Sequence, residues 1–334
     1  MLDSEINFYK ALTVDDTSSN GGLMSAVEYT SGALADVFPH VLKAERDAGS
    51  EKHRKVIIKI DNDNDESFLA PQLWFDKPTP ADDYAMFFAA SETDTEGDIG
   101  GSERKYGCAD LSSDATLGGT TLVVTVEHAD QTGMFVAGDV IRVTDMTDPL
   151  DGGTGNEEFH VISGTPSVST LEITITTTDV LAYGYLVSGS TRVMSVYKPT
   201  DVACSVDNWD DSDTSAGTYD ESTYAVVTDN IGTISQTWTL TFTDATNFTV
   251  EGNTVGFLAS GVIGSDYSED NTDFTKPYFT LLTAGWGGTW AQDDTLVFQT
   301  HPAAIEIWER RNVPAGSSSL SGNSLILVVA GESV

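Results

Sequence analysis

Three aspartates at alternate positions are the first residues in this chain whose type and spacing suggest chemistry. Asp61, Asp63 and Asp65 stand in the stretch IKIDNDNDES, spaced like the first ligands of an EF-hand calcium loop. Position six of such a loop must be glycine and position twelve a bidentate glutamate, but this chain has Glu66 and Gln72 there. The EF-hand interpretation therefore fails. The three aspartates remain candidates for a Ca²⁺ ion held between loops, with a plain turn as the alternative.

The residues that flank this acidic run predict strands. The run KVIIKI places Lys55 and Lys59 on one face and aliphatic residues such as Val56 and Ile58 on the other, which is typical of a half-buried strand. Asp and Asn tolerate turn and left-handed conformations, and Phe68 begins the next apolar run. We therefore expect an exposed hairpin turn between two strands. If this turn has a partner, the first candidate is a basic group on an adjacent subunit.

Other motifs that carry chemistry are missing from the sequence. The five histidines are scattered without an HExxH motif, and there is neither a G-x-S-x-G elbow nor a phosphate-binding loop. Cys108 and Cys204 form no CxxC, which argues against a thiolate zinc site, although they bracket one block of the chain and their pairing stays open. A second acidic run, DNWDDSD, is another candidate for Ca²⁺, but clustered carboxylates in so acidic a chain are more often solvated loop residues than metal ligands. We predict no enzymatic activity, no cofactor and no small-molecule substrate.

The charge balance excludes two classes of partner. Lys and Arg total 16 against 52 Asp and Glu, a formal net charge of −36. Nucleic acids and anionic membrane surfaces need a basic face, which such a chain lacks. The amino-terminal MLDSEINFYKALTVDD carries acid where a signal peptide needs basic residues, and no apolar run approaches the ~20 residues of a membrane span. We expect a protein made in the cytoplasm, whose acid lies in solvated loops or reflects a salt-rich habitat.

Alternation with period two dominates the chain and predicts a mainly β fold. Runs such as TTLVVTVEH, EEFHVIS and LEITITT are separated by Gly, Asp, Thr and Ser clusters, as in antiparallel sandwiches and small barrels. We predict an irregular N-terminal arm with a short helix over residues 1–50 and a discontinuous antiparallel β-sandwich domain over 51–107 plus 200–334. Residues 108–199 are predicted to be an inserted small β-barrel or sandwich domain.

Two local predictions are specific to single residues. The run SQTWTLTFT places Trp238, Leu240 and Phe242 on one face of a strand and threonines on the other. The run VLKAERDAG predicts a short helix that stops at Gly49.

Three stretches carry a resemblance to a known class of protein. They are KHRKVIIKIDNDNDESFLAPQLWFDKPTPADDY, DFTKPYFTLLTAGWGGTWAQDD and FQTHPAAIEIWERRNVPAGSSSLSGNSLILVVAGES. These resemble segments of virion structural proteins of tailed bacteriophages and prophages, over roughly 50–107 and 230–334. The resemblance implies a non-enzymatic, multi-copy component of the tail, baseplate or neck, with a capsid decoration role still open. Its partners would be copies of itself and other virion proteins, and its location the virion.

Two basic stretches are the candidate contact segments for such an assembly. In HPAAIEIWERRNVPAG, Trp308 stands beside Arg310 and Arg311, and Trp and Arg are enriched at interface hot spots. The earlier run KHRK contributes Arg54 and Lys55, which would face acid on a neighbouring copy. The alternative is that these residues form internal salt bridges with the acidic loops.

A glycan- or cell-surface-binding β protein is the competing function. The turn AGWGGTWAQDD sets Trp286 and Trp290 among glycines, and exposed indoles can stack on sugar rings. The alternative for both side chains is that they plug a protein core.

Overall fold

The computed structural model describes residues 2–147 and 153–333 and is almost entirely β, with 46% strand and 6% helix. Its strands form several antiparallel sheets packed in a sandwich-like manner, and the predicted mainly β, antiparallel fold class is confirmed. Within the described ranges, no helix is long and apolar enough to cross a membrane.

The strands fall into four stretches of the chain. The first contains Ile6–Thr13 (β1), Gly21–Glu28 (β2), Ser50–Ile60 (β3), Phe68–Phe75 (β4) and Tyr84–Ala89 (β5). The second contains Cys108–Ser113 (β6), Thr121–Thr125 (β7), Val140–Thr144 (β8), Glu157–Val161 (β9), Ser167–Ser169 (β10), Glu172–Thr176 (β11) and Arg192–Val196 (β12). The third contains Ser205–Asp210 (β13), Ala216–Tyr219 (β14), Gln236–Phe242 (β15), Asn247–Gly252 (β16), Gly256–Phe257 (β17), Gly261–Val262 (β18), Tyr267–Asn271 (β19), Lys276–Leu281 (β20), Trp286–Thr289 (β21) and Thr295–His301 (β22). The last contains Ala304–Val313 (β23) and Leu327–Ser333 (β24).

The helices are few and short. The single α-helix among the described residues is Lys43–Ala48 (α1), and it ends at Gly49, whose φ of 83° suits glycine, as the sequence predicted. The 3₁₀-helices are Asp3–Glu5, Glu96–Asp98, Ala129–Gln131, Val187–Gly189 and Thr283–Gly285.

A central five-stranded sheet has the order β2-β1-β3-β23-β5. One face of it packs on the two-stranded sheet β4-β24, and Ile58, Leu73, Phe75, Phe87 and Ile307 lie in the core between the two sheets. The first and last parts of the chain are therefore joined in one sandwich, since β23 pairs with β3 over ten residues.

The second stretch of strands makes a sheet of its own. Its order is β10-β11-β7-β6-β12-β8-β9, and it encloses a separate apolar cluster that includes Leu122, Val124, Ile141 and Ile173. The sheet curls, because an isolated bridge joins Ile162 to Thr177, but over the described residues it does not close into a barrel.

The third stretch also has its own core. The six-stranded sheet β13-β22-β15-β16-β17, with β18 on β16, packs against the small pairs β14-β21 and β19-β20. Trp238, Leu240 and Phe242 on β15 are fully buried, so the predicted one-sided strand is confirmed. Residues 200–334 therefore contribute to this core, to the core of the central sandwich and to a small cluster around Tyr9. The predicted domain over 51–107 plus 200–334 stays a prediction.

The N-terminal region is more regular than predicted. Instead of an irregular arm, residues 1–50 contain β1 and β2, which extend the central sheet on the free side of β3. The sequence pattern hid them because β1 packs against a neighbour on both faces. Phe8 packs into the β4-side core, and Tyr9 and Ala11 lie in a small cluster on the other side.

The acidic run after β3 is not a hairpin turn. The flanking strands end and begin at Ile60 and Phe68 as predicted, but β3 pairs with β1 and β23 while β4 pairs with β24. The run therefore carries the chain from one layer of the sandwich to the other. Asn62 shapes this connection, because its side chain accepts the Glu66 N–H at 2.8 Å and donates to the Glu66 carbonyl at 3.0 Å.

Strand β3 is buried on both faces, whereas the sequence suggested that Lys55 and Lys59 face solvent. Lys59 is fully buried, forms an ion pair with Asp61 and donates to the carbonyls of Asn230 and Ile231, the latter at 2.8 Å. The lysine therefore joins the central sheet to the segment that leads into β15. A buried cation of this kind is held by several acceptors at once.

Replacing Lys59 with methionine tests this joint. Lys59→Met keeps the side-chain bulk but leaves Asp61 without its cation and two buried carbonyls without a donor. We expect the free energy of unfolding to fall by about 3–5 kcal/mol, measured by urea denaturation.

The matched control is Lys276→Met. Lys276 also pairs with a carboxylate, at 2.8 Å from Asp63, but both side chains are largely solvated, at 37% and 76% exposure. The control should change the unfolding free energy by about 0–1 kcal/mol. Equal losses in the two variants would contradict the assigned role of Lys59.

Candidate functional site

Asp61, the first calcium candidate, is saturated by donors from its own chain. Its carboxylate accepts the Tyr9 hydroxyl at 2.8 Å and the Asn7 amide at 3.0 Å, and it forms the ion pair with Lys59. A metal ion in this place would have to displace a buried ammonium group. The geometry makes Asp61 a structural counter-ion.

Asp63 and Asp65 point to different partners. Asp63 lies 2.8 Å from the Lys276 ammonium, and Asp65 accepts the Asn230 N–H at 2.7 Å. Among the described residues, no group of three or more His, Cys, Asp or Glu side chains is arranged to hold a metal ion. Asp63 has a basic partner within its own chain, and the partner predicted on an adjacent subunit stays a prediction.

The basic run on β3 turns inward. Lys55 is 1% exposed, and its ammonium donates to the carbonyls of Gly22, Glu92 and Asp94 at 2.8–3.2 Å and lies 2.7 Å from the Asp94 carboxylate. Arg54 is 5% exposed and binds the Asp16 carboxylate at 2.7 Å. Neither side chain is accessible to a neighbouring copy in this conformation.

The candidate contact segment on β23 is buried as well. Trp308 is 1% exposed, and its indole N–H donates to Asp94 at 3.0 Å. Arg310 forms an ion pair with Asp130, and half-buried Arg311 donates to the Pro39 carbonyl at 2.9 Å. These contacts favour the internal salt bridges that were the alternative to an interface.

Arginine side chains also join different sheets, and sequence reasoning missed the clearest case. Arg142 on β8 is 1% exposed; it lies 3.1 Å from Asp76, which follows β4, and 2.8 Å from Glu157. Its guanidinium lies over the Trp74 ring, 5.2 Å from the centroid. A basic residue in the middle of an apolar strand, as in DVIRVTD, was the available signal, because an unpaired cation is rarely buried there.

The two tryptophans proposed for sugar stacking belong to the third core. Trp290 is 2% exposed and stacks on Phe242 at a ring-centroid distance of 4.0 Å. Trp286 packs edge-on against Tyr219 at 4.8 Å and against Trp290 at 5.6 Å. The glycine next to them in space is Gly217, where any side chain would overlap the Trp290 ring. Their arrangement is that of core residues.

The cysteines do not form a disulfide. Cys108 is buried and Cys204 half-buried, and both thiols are free although both residues belong to the core between β4-β24 and the central sheet. Burial raises the pKa of both, that of Cys204 to about 11. Neither is a reactive thiolate at neutral pH.

A polar cleft of about 390 Å³ lies where the connection from β12 to β13 passes β23. It is lined by Ala90, Tyr197, Lys198, Pro199, Thr200, Asp201, Val202, Ala203, Ala304, Ile305 and Glu306. Burial, with nearby Glu92, raises the pKa of Glu306 to about 7, so this carboxyl can donate or accept a hydrogen bond near neutral pH. The lining contains neither histidine nor cysteine, and we assign no reaction to it.

The outer edge of the central sheet is formed by β2 and has exposed apolar side chains around it. Gly21 and Gly22 at the start of β2 are covered by Asp94 and Thr95, but from Leu23 onward no described strand pairs with the outer side of β2. Around it, three aliphatic side chains are exposed: Leu12 at 60%, Val14 at 43% and Val27 at 57%.

The sequence of β2 gives this edge little protection before its last residue, the exposed Glu28, although the pairing of β2 with β1 contains two register shifts. Exposed edge strands usually carry charges or prolines that prevent pairing with another chain. The stretch GGLMSAV has neither, in a chain with 52 acidic residues. The edge therefore has the properties of a pairing surface.

Comparison with known proteins does not place this chain: no family model, no curated protein and no solved structure matches it. The contacts described above are therefore the basis for assigning a function.

Truncation of the stacked indole separates a core role from a binding role. Trp290→Ala should lower the unfolding free energy by about 3–5 kcal/mol, because it removes a buried aromatic side chain and leaves a cavity. The same change at Phe257, which is 72% exposed, should alter stability by less than about 0.5 kcal/mol. A Trp290 variant as stable as the parent would show that the indole is not a core residue.

Glu309 on β23 predicts a pH dependence of stability. It is 6% exposed, and burial raises its pKa from 4.5 to about 7. Between these pH values the folded chain keeps a proton that the unfolded chain has lost, so stability falls as pH rises through this window. Glu309→Gln should match the parent near pH 4 and be more stable by up to about 3 kcal/mol above pH 7.

Urea denaturation at a series of pH values measures this difference. The control is Glu221→Gln at an exposed carboxyl, which should change the unfolding free energy by less than about 0.5 kcal/mol. A constant difference between Glu309→Gln and the parent from pH 4 to pH 8 would contradict the assignment.

Proposed function

We propose that this chain is a non-enzymatic structural component of a tailed-phage particle. Copies would assemble into a ring or layer in the tail, baseplate or neck region, and the protein would reside in the virion after synthesis in the host cytoplasm. Its partners are copies of itself and other virion proteins. The observation that carries the assembly part is the outer edge of β2 from Leu23 to Val27, which no described strand covers and which has no charged side chain before Glu28. The particle assignment rests on the resemblance of the three sequence stretches.

Main-chain pairing suits a chain of this charge. Copies with a formal charge of −36 repel each other, and the arginines and lysines that would attract acid on a neighbour are largely used inside the chain. An edge strand offers hydrogen bonds that do not depend on charge. The exposed side chains of Leu12, Val14 and Val27 would add apolar contacts beside these main-chain hydrogen bonds.

The competing glycan-binding function has less support. It relied on Trp286 and Trp290 as an exposed stacking surface, but Trp290 is buried in the third core and half-buried Trp286 packs against that core. No contact among the described residues favours it over assembly.

Assembly through β2 is tested by placing a charge on its edge. Val27→Lys changes an exposed side chain, so folding should persist, but the lysine opposes strand pairing. Negative-stain images and light scattering should show rings or layers for the parent and mainly 35.7 kDa monomers for the variant.

The control is Val168→Lys on β10, an edge strand of another sheet, where the valine is 51% exposed. This variant should assemble like the parent. A parent protein that stays strictly monomeric at high concentration would overturn the proposed function. Equal assembly by the parent and Val27→Lys would exclude β2 as the contact.

A further inference from the structure

The last strand is attached to the rest of the chain by a weak connection. After Val313 the chain leaves the central sheet and runs through PAGSSSLSGNSLI, residues 314–326, before β24 begins. Residues 315–324 are exposed or nearly so, and most are serine, glycine or other small residues. Gly316 and Ser318 donate main-chain N–H groups to the Arg46 carbonyl and to Asp82, each at 2.7 Å. Asn323 donates to Asp83 at 2.7 Å, and Ile326 accepts the Asp76 N–H at 2.9 Å. The segment is therefore held by a few polar contacts, and its composition is typical of flexible linkers.

The strand itself is held by a matched surface. Within the described residues β24 pairs only with β4, from Leu327 opposite Phe75 to Ser333 opposite Phe68. Its half-buried side chains cover the core between β4 and the central sheet. Gly331 lies so close to the Phe68 ring that an added side-chain carbon would sit 2.5 Å from it. The complementarity is therefore specific to this strand.

We propose that β24 is exchanged between copies when the protein assembles, each copy inserting its last strand beside β4 of a neighbour. This proposal rests on the proposed assembly function. An exchanged strand makes the same hydrogen bonds and apolar contacts as in the single chain, so the exchange requires no new surface. The flexible linker lets the strand reach either its own β4 or that of an adjacent copy.

Concentration decides between the two arrangements. A short flexible linker holds its strand at an effective concentration on the order of millimolar. A free protein at micromolar concentration therefore keeps its own strand, as in the structure. Copies that are packed side by side at millimolar or higher local concentration exchange it. The exchange thereby locks an assembly that edge pairing begins.

Strand exchange is tested with single cysteines, one on β4 and one on β24. Gln72 and Ala330 are opposite each other in the β4-β24 register, so cysteines there can form a disulfide. The full-length single variants Gln72→Cys and Ala330→Cys are mixed, oxidised, and analysed by non-reducing gel and by mass spectrometry of linked peptides. In an equal mixture, position 72 should be linked to position 330 between chains in a few per cent of molecules or fewer near 10 µM and in about a quarter near 1 mM, because only half of the exchanged strands join the two variants.

The control pair is Thr241→Cys and Thr249→Cys, which are opposite each other in the β15-β16 hairpin. These strands are joined by a short turn and should not link two chains at any of these concentrations. The native thiols, with raised pKa values, should contribute little background.

Each outcome separates the two proposals. Multi-copy particles without a 72–330 link between chains would overturn strand exchange and leave the assembly function standing. Monomers without any link would overturn both. Equal linking by the control pair would show random collision and also overturn the exchange.

Discussion

Buried cations hold the three cores of this protein together. Lys59 ties the central sheet to the segment before β15, Arg142 ties the seven-stranded sheet to the end of β4, and Arg310 ties β23 to the 3₁₀-helix at Asp130. Each is almost inaccessible to water, and each meets a carboxylate or main-chain carbonyls across the joint. A chain with 16 basic residues uses several of them where its layers meet, because a buried cation without such partners would be strongly destabilising.

Because the basic residues are largely used inside the chain, they determine which contacts its surface can make with other copies. The excess acid faces solvent, and copies of the chain repel each other except where salt screens the charge. Contacts between copies are then best made by groups without charge. The outer edge of β2 and the strand pairing of β24 with β4 both provide main-chain hydrogen bonds together with aliphatic side chains. Both features lie on the sandwich that contains β1 and β24, the first and last described strands.

Local patterns predicted local structure well. The alternation in SQTWTLTFT identified the buried face of β15, and Gly49 marked the end of α1, because each signal depends on residues within one element.

The acidic run after β3 was located correctly between two strands, but its geometry was not predicted correctly. Whether two successive strands pair or cross to opposite layers depends on partners far away in sequence, here β23 and β24. The burial of the candidate interface residues likewise depends on segments far away in sequence. Basic and Trp residues are rare in this chain, which made Arg54, Lys55 and Trp308 stand out in the sequence. The sequence did not indicate that the loop at Asp94 and the segment at Asp16 cover these side chains.

The sequence by itself determined that the chain is a β protein with an acidic surface, because alternation and charge are carried by neighbouring residues. Only the tertiary structure decided that Lys55 and Lys59 are buried, that Trp290 is a core residue, and that Asp61 is the counter-ion of Lys59. Each of these outcomes depends on what covers the second face of a strand. That covering comes from segments distant in the chain, which pairing and packing bring together and which periodicity does not encode.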